Sequence, residues 1–169
     1  VDSGSYFPTV AGDGERVTEA AAAASEDGVV FVTSAGNYAG RHWAGDASTD
    51  GWVEFVPGDE ANALAGGERV RGRVSVRLRW NGTADYDLYL YRRLPGTDAV
   101  VAASTRRETA PGKSVESIDV AVPDGRYYVA VHAREASGRP TAVQVFAAHN
   151  ELEHTTERGS MVAPATSEQ

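Results

Sequence analysis

The chain has 169 residues, 41% of them apolar, which is enough for one compact domain with some structure beside it. A net charge of −8 argues against nucleic acid as the main partner, and no apolar run is long enough to span a membrane. Cysteine is absent, which excludes disulfide and thiol chemistry, and the first residues lack the basic start and apolar stretch of a signal peptide.

In chain order, the first predicted element is a helix. Arg16 to Asp27 is alanine-rich, and Gly28 is placed to end the helix and turn the chain. The run Val29-Val30-Phe31-Val32-Thr33-Ser34 follows and stops at Ala35-Gly36-Asn37. Consecutive apolar and β-branched residues predict a strand buried on both faces, as in a parallel sheet under helices. This order puts Asn37 at the carboxyl end of a sheet strand, where ligands of open α/β sheets gather. A side-chain amide held there can donate a hydrogen bond to charge developing on a substrate oxygen. As a bare pair, Gly36-Asn37 is also a common turn.

The middle of the chain reads as all-β. Val70, Gly72, Val74, Val76, Leu78 and Trp80 alternate with Arg71, Arg73, Ser75, Arg77 and Arg79, the pattern of a half-buried strand. Tyr86, Leu88 and Leu90 alternate with Asp87, Tyr89 and Tyr91. Ile118, Val120 and Val122 follow the same rule, as do Tyr127, Val129 and Val131, then Val143 and Val145. Asn81-Gly82, Pro95-Gly96, Pro111-Gly112, Pro123-Asp124-Gly125 and Gly138-Arg139-Pro140 supply the turns. Short alternating strands between frequent turns predict an antiparallel β-sandwich or jelly roll.

Several side chains in this region carry candidate chemistry. Asp85 and Asp87 share one strand face and are candidate calcium ligands, but calcium takes six or more oxygens and two carboxylates fall short. The simpler expectation is that they are solvated acids pairing with an arginine stripe. Arg71, Arg73, Arg77 and Arg79 form this basic stripe, expected to pair with acids across strands. Tyr89 and Tyr91 are a candidate aromatic platform for sugar or peptide, or else pack against a neighbouring loop. Asn81-Gly82-Thr83 matches both a glycosylation sequon and a tight turn. His132, His149 and His154 show no metal-ligand spacing.

The helix, Gly28 and the run ending in Ala35-Gly36-Asn37 resemble the oxyanion-hole segment of subtilisin-like serine proteases. Gly159-Ser160-Met161-Val162-Ala163-Pro164-Ala165-Thr166 resembles the Pro-Ala segment that leads those enzymes into their next sheet strand. Between the two lies a stretch long enough for a domain. There, Asp85-Tyr86-Asp87-Leu88-Tyr89-Leu90 and Gly125-Arg126-Tyr127-Tyr128-Val129 resemble the pre-peptidase C-terminal type of β-sandwich, found inserted in some subtilases. The resemblance implies that residues 1–47 and 151–169 belong to an α/β catalytic domain, contributing one helix and one or two strands. Residues 48–150 would then be the inserted sandwich. It further implies Asn37 as an oxyanion-hole donor, protein or peptide substrates, and a secreted or cell-surface parent. No cofactor is expected, calcium being the one candidate. The unpaired strand is expected to be covered by the terminal segments or by a second copy of the chain.

A complete catalytic triad is not legible. Asp2-Ser3-Gly4 matches the family's Asp motif, but the family's histidine falls between that Asp and the oxyanion Asn. Here the first histidine is His42, after Asn37, and the interval from Asp2 to Asn37 is too short for the intervening elements. Val1 to Phe7 therefore reads as a strand end and loop, and His42 as a capping or packing residue beside Trp43. Ser160 lacks the preceding Thr of the nucleophile motif, and the sequence stops too soon after Pro164 for the long helix a nucleophile opens. The expectation is a protease segment that is inactive alone. Two rivals are a standalone binding module for carbohydrate, protein or calcium, and a degenerate protease using Asp2 and Ser160.

Overall fold

The alternating runs become strands because each can bury one side chain in two against a facing sheet. The computed structural model describes residues 13–30, 32, 38–47, 51–81, 83–107, 115–135, 141–158 and 160. Its first sheet holds β1 (His42–Ala47), β9 (Thr141–Ala147), β4 (Val70–Trp80) and β7 (Val115–Gly125), side by side in that order. The second holds β2 (Gly51–Trp52), β8 (Tyr127–Glu135), β5 (Asp85–Arg92) and β6 (Ala99–Ser104), with β3 (Asn62–Ala63) also paired to β8. All of these strand pairs are antiparallel. The protein is mainly β, an antiparallel sandwich with one α-helix among the described residues.

The core lies where the inward rows meet. Val74, Val76 and Leu78 of β4 face Tyr86, Leu88 and Leu90 of β5, while Val129 and Val131 of β8 join Val143 and Val145 of β9. Two tryptophans close its edges with their polar ends satisfied. Trp43 donates from Nε1 to the Phe55 carbonyl at 2.8 Å, and Trp80 to the Ala84 carbonyl at 2.7 Å. The Trp43 ring lies across Gly45, where a Cβ would sit 2.5 Å from ring carbon Cζ2, so only glycine fits beneath it.

Of the basic stripe, Arg73 pairs across strands with an acid as expected, and Arg69, outside the stripe, does the same. Arg73 of β4 donates to Asp119 of β7 at 2.7 Å through Nε, and Arg69 just before β4 donates to Asp124 at 2.9 Å. All four side chains are about half exposed or more, so these pairs orient the surface rather than stabilise it strongly.

Upstream, α1 (Asp13–Glu26) ends as the sequence predicts. Gly28 takes φ of 81°, its N–H bonds the Ser25 carbonyl at 3.0 Å, and the Val29 N–H bonds the Ala24 carbonyl at 2.9 Å. These paired bonds form a Schellman cap, whose left-handed residue is cheapest as glycine. The buried strand expected next is not found over Val29, Val30 and Val32. They lie outside any strand and are 54%, 87% and 86% exposed. A β-branched run becomes a strand only beside a partner, and no described strand pairs with these residues.

The sandwich also reaches past the expected limits of 48–150. β1 falls within the expected catalytic-domain segment, yet it pairs with β9 in full register from His42↔Phe146 to Ala47↔Thr141. Leu152, buried, bridges to Leu64. Packing therefore draws in residues from both flanks, because Trp43, Ala47 and Leu152 complete the core.

Replacing fully buried Leu88 by alanine should cost about 2–5 kcal/mol, whereas Val30→Ala should stay within about 0.5 kcal/mol. Urea unfolding of the 169-residue chain measures both, and a large loss for Val30→Ala would mean that this segment is buried in solution.

Candidate functional site

Two features of the sandwich carry chemistry beyond core packing: a strap that joins its ends, and an aromatic cleft on the outer face of the second sheet.

The strap is residues 151–156. Leu152 N–H bonds the Gly40 carbonyl at 2.9 Å, Glu153 N–H the Ala63 carbonyl at 2.9 Å, and Thr156 N–H the His42 carbonyl at 2.8 Å. Asn62, fully buried, acts as a substitute strand for it. Its amide donates to the His154 carbonyl at 2.9 Å and accepts the His154 N–H at 3.0 Å. Thr156 Oγ1 accepts the Ala44 N–H at 3.2 Å and donates to the Ala44 carbonyl at 3.1 Å. The incoming chain at 38–44 and the outgoing chain at 152–156 therefore leave the sandwich side by side.

His42 is the buried centre of this clasp. Its ring lies 4.5 Å from the Phe146 ring, and Nδ1 bonds the Thr156 carbonyl at 2.8 Å. A carbonyl only accepts, so Nδ1 carries the proton and Nε2 is left as a buried atom with no partner. Burial holds the His42 pKa below the ordinary histidine value, against the opposing pull of the Thr156 bond. This is a packing histidine, as its sequence context suggests.

The outer face of the second sheet is set by β5 and β8. Where Leu88, Leu90, Val129 and Val131 point inward, Tyr89, Tyr91, Tyr128, Ala130 and His132 must point outward. Tyr91 and Tyr128 stack 5.1 Å apart at 6°. Trp52 of β2 meets Tyr91 at 6.3 Å, Tyr89 at 5.5 Å and His132 at 4.8 Å, each edge to face. Beside these rings opens a cavity of about 360 Å³ lined by Trp52, Tyr91, Tyr128, Ala130, Asp59, Glu60 and Ala61. Tyr128 donates to Asp98 at 3.0 Å, and burial with that carboxylate pushes its pKa up to about 12. Asp59 accepts from the Ala61 N–H at 3.0 Å and pairs with His154 Nε2 at 2.9 Å. These bonds, His154 first, hold its carboxyl below the usual range.

Tyr89 and Tyr91 are thus brought into one aromatic surface. Trp52, Asp59 and Glu60 were not singled out by the sequence, and Tyr128 entered only as part of the motif at 125–129. Tyr128 was legible as the outward neighbour of Tyr127 and Val129, but Trp52 sits on a two-residue strand with no alternation to flag it.

Asp85 and Asp87 lie farther along the same face, 4% and 2% exposed. They pair not with the basic stripe but with Arg134 of β8, which reaches Asp87 at 2.9 Å and Asp85 at 4.0 Å. Tyr89 also donates to Asp87, at 3.2 Å. Both oxygens of Asp85 and Oδ1 of Asp87 are buried without hydrogen-bond partners. For calcium this set is too small and already faces a guanidinium. Among the described residues no group of three or more His, Cys, Asp or Glu side chains is placed to hold a metal.

Asn37 and Asp2 lie outside the described residues. Ser160 is described only as part of a turn, its N–H 3.2 Å from the Glu157 carbonyl. Among the described residues no helix is long and apolar enough to cross a membrane.

No protein-family model and no curated protein matches the chain. Among solved structures it is similar to a mitogen derived from Yersinia pseudotuberculosis, at 11% identity and a TM-score of 0.44. The match covers 72% of this chain and 92% of that one. A likeness at that level decides nothing further about this chain.

Neutral His42 is favoured in the fold, and the unfolded chain takes up the proton first as pH drops. Stability is therefore present above the ordinary histidine pKa and declines as pH falls below it, by up to about 1.4 kcal/mol per pH unit. The stability difference between wild type and His42→Gln, measured by urea unfolding, should accordingly be smaller at pH 5.5 than at pH 7.5. A difference independent of pH would mean that His42 does not titrate in this window.

Arg134→Gln should lower the thermal midpoint at pH 7 by leaving two buried carboxylates uncompensated, and adding Asp85→Asn and Asp87→Asn should recover most of the loss. An unchanged midpoint in Arg134→Gln would show that another group balances them.

Proposed function

We propose that this chain is an internal part of a subtilisin-like serine endopeptidase. In this reading the sandwich is an accessory module inserted into the catalytic domain, and Asn37 supplies an oxyanion-hole donor. The observation that carries the reading is the strap: an inserted module must receive and return the chain at neighbouring points, and residues 38–44 and 152–156 are hydrogen-bonded to one another. The exposed Val29, Val30 and Val32 behind a capped helix support it as well, since such a run fits between parallel neighbours of a larger sheet.

The parent would form an acyl-enzyme on protein or peptide substrates, its developing oxyanion stabilised by the Asn37 amide and a backbone N–H. Nucleophile, base and orienting acid would come from outside these residues, so the chain alone is inactive. The parent would act outside the cell, and the exposed valine run is the place where its catalytic sheet, or a second copy of this chain, would dock. Calcium has no part in this reading.

A second reading, a binding module without catalysis, is favoured by the aromatic cleft of Trp52, Tyr91 and Tyr128.

In the full-length product of the coding region, Asn37→Leu should lower kcat by about 10²–10³ with little change in KM. That size is the established cost of losing this donor in subtilases rather than a magnitude drawn from this fold. An unchanged kcat, or a full-length product that hydrolyses no protein substrate, would leave the binding-module reading in its place.

A further inference from the structure

The cleft beside Trp52 has the size and wall chemistry of a ligand site. Its volume of about 360 Å³ lies within the range of small-ligand pockets. The space exists because β8 carries alanine at its outward position 130, between Tyr128 and His132. Trp52, 39% exposed, forms one wall and Tyr91 with Tyr128 another.

The polar lining is one-sided. Among the described residues Asp59 and Glu60 are the only charged ones that line it, and both are acidic. The two oxygens of Asp59 are already engaged, by the Ala61 N–H and by His154. The exposed Glu60 carboxylate stands beside them without a hydrogen bond or ion pair among the described residues. A polyol would need both donors and acceptors around its ring, whereas electron-rich ring faces beside a free carboxylate suit a cation. Just outside the lining, the chain sets a cation against the same rings: the Arg93 guanidinium lies 5.1 Å from the Tyr128 ring centroid.

We propose that this cleft binds a cationic alkylammonium or guanidinium group, presented as a Lys or Arg side chain of a polypeptide. The apolar stem of such a side chain packs along Trp52 and Tyr91 while its charged end meets Glu60. The site is independent of Asn37 and of any catalytic parent.

The test follows the indole N–H resonance of Trp52 in the folded 169-residue chain during titration. Trp43 and Trp80 are buried and hydrogen-bonded, so they serve as internal controls. The probes are Ac-Gly-Arg-Gly-amide, the same peptide with neutral citrulline, free agmatine, and cellobiose. Saturable shifts are expected with the arginine peptide, weaker by about tenfold with citrulline and reduced by added salt. Glu60→Gln, a surface change that leaves the fold intact, should weaken the arginine peptide by at least about threefold, and Ala130→Leu should block it. Tighter binding of agmatine than of the peptide would assign the site to a free cation and overturn the polypeptide source. Equal binding of arginine and citrulline peptides, preference for cellobiose, or no saturable shift would overturn the proposal outright. Loss of the Asn37 effect in the full-length protein would leave it standing.

Discussion

Two sheets pack face to face only if every strand sends alternate side chains inward, and the rest of this molecule depends on that constraint. Once Leu88, Leu90, Val129 and Val131 occupy the core, the intervening residues of β5 and β8 have no choice of side. Tyr89, Tyr91, Tyr128 and His132 therefore share one outer surface, and Asp87 meets Arg134 there. The cleft and the buried carboxylate pair are both consequences of the same periodicity. A one-residue slip of β8 against β5 would destroy core and cleft together.

The second constraint is closure of the ends. A strand of only two residues, β3, is held because Asn62 offers the strap a side-chain amide with the donor and acceptor that a backbone would offer. His42 and Thr156 tie the other side of the strap to β1. Buried groups that satisfy one another in this way fix where the chain arrives and leaves more firmly than surface ion pairs such as Arg73–Asp119. The clasp leaves one atom unsatisfied, His42 Nε2, which is the atom a second ring proton would occupy.

Much of the architecture was legible in local patterns. The alternation in Val70–Trp80 and in Tyr86–Leu90 identified β4 and β5 with the correct inward residues, and Gly28 marked the end of α1. The turn residues were legible only in part. Pro95-Gly96 does bend the chain between β5 and β6, whereas Pro123-Asp124-Gly125, read as a turn, continues β7 to its end. Asn81-Gly82 reads as a tight turn, yet β4 and β5 belong to different sheets, so the next strand does not pair back on β4. Turn chemistry specifies a local reversal, while the facing surfaces decide which sheet the next strand joins. The valine run shows the opposite failure. Its strand propensity was unmistakable, but Val29, Val30 and Val32 lie exposed for want of a neighbour.

The sequence by itself therefore determined the acidic, cysteine-free composition, a plain sum over residues, and the strand periodicity, the inward and outward faces and the helix cap, which depend on residues a few positions apart. Only the tertiary structure decided that Trp52 meets Tyr91 and Tyr128, that Asp85 and Asp87 face Arg134, and that Asn62 holds His154. It also drew β1 and the strap into the sandwich. Those contacts join residues far apart in the chain, brought together by hydrophobic burial and strand register, which no window along the sequence contains.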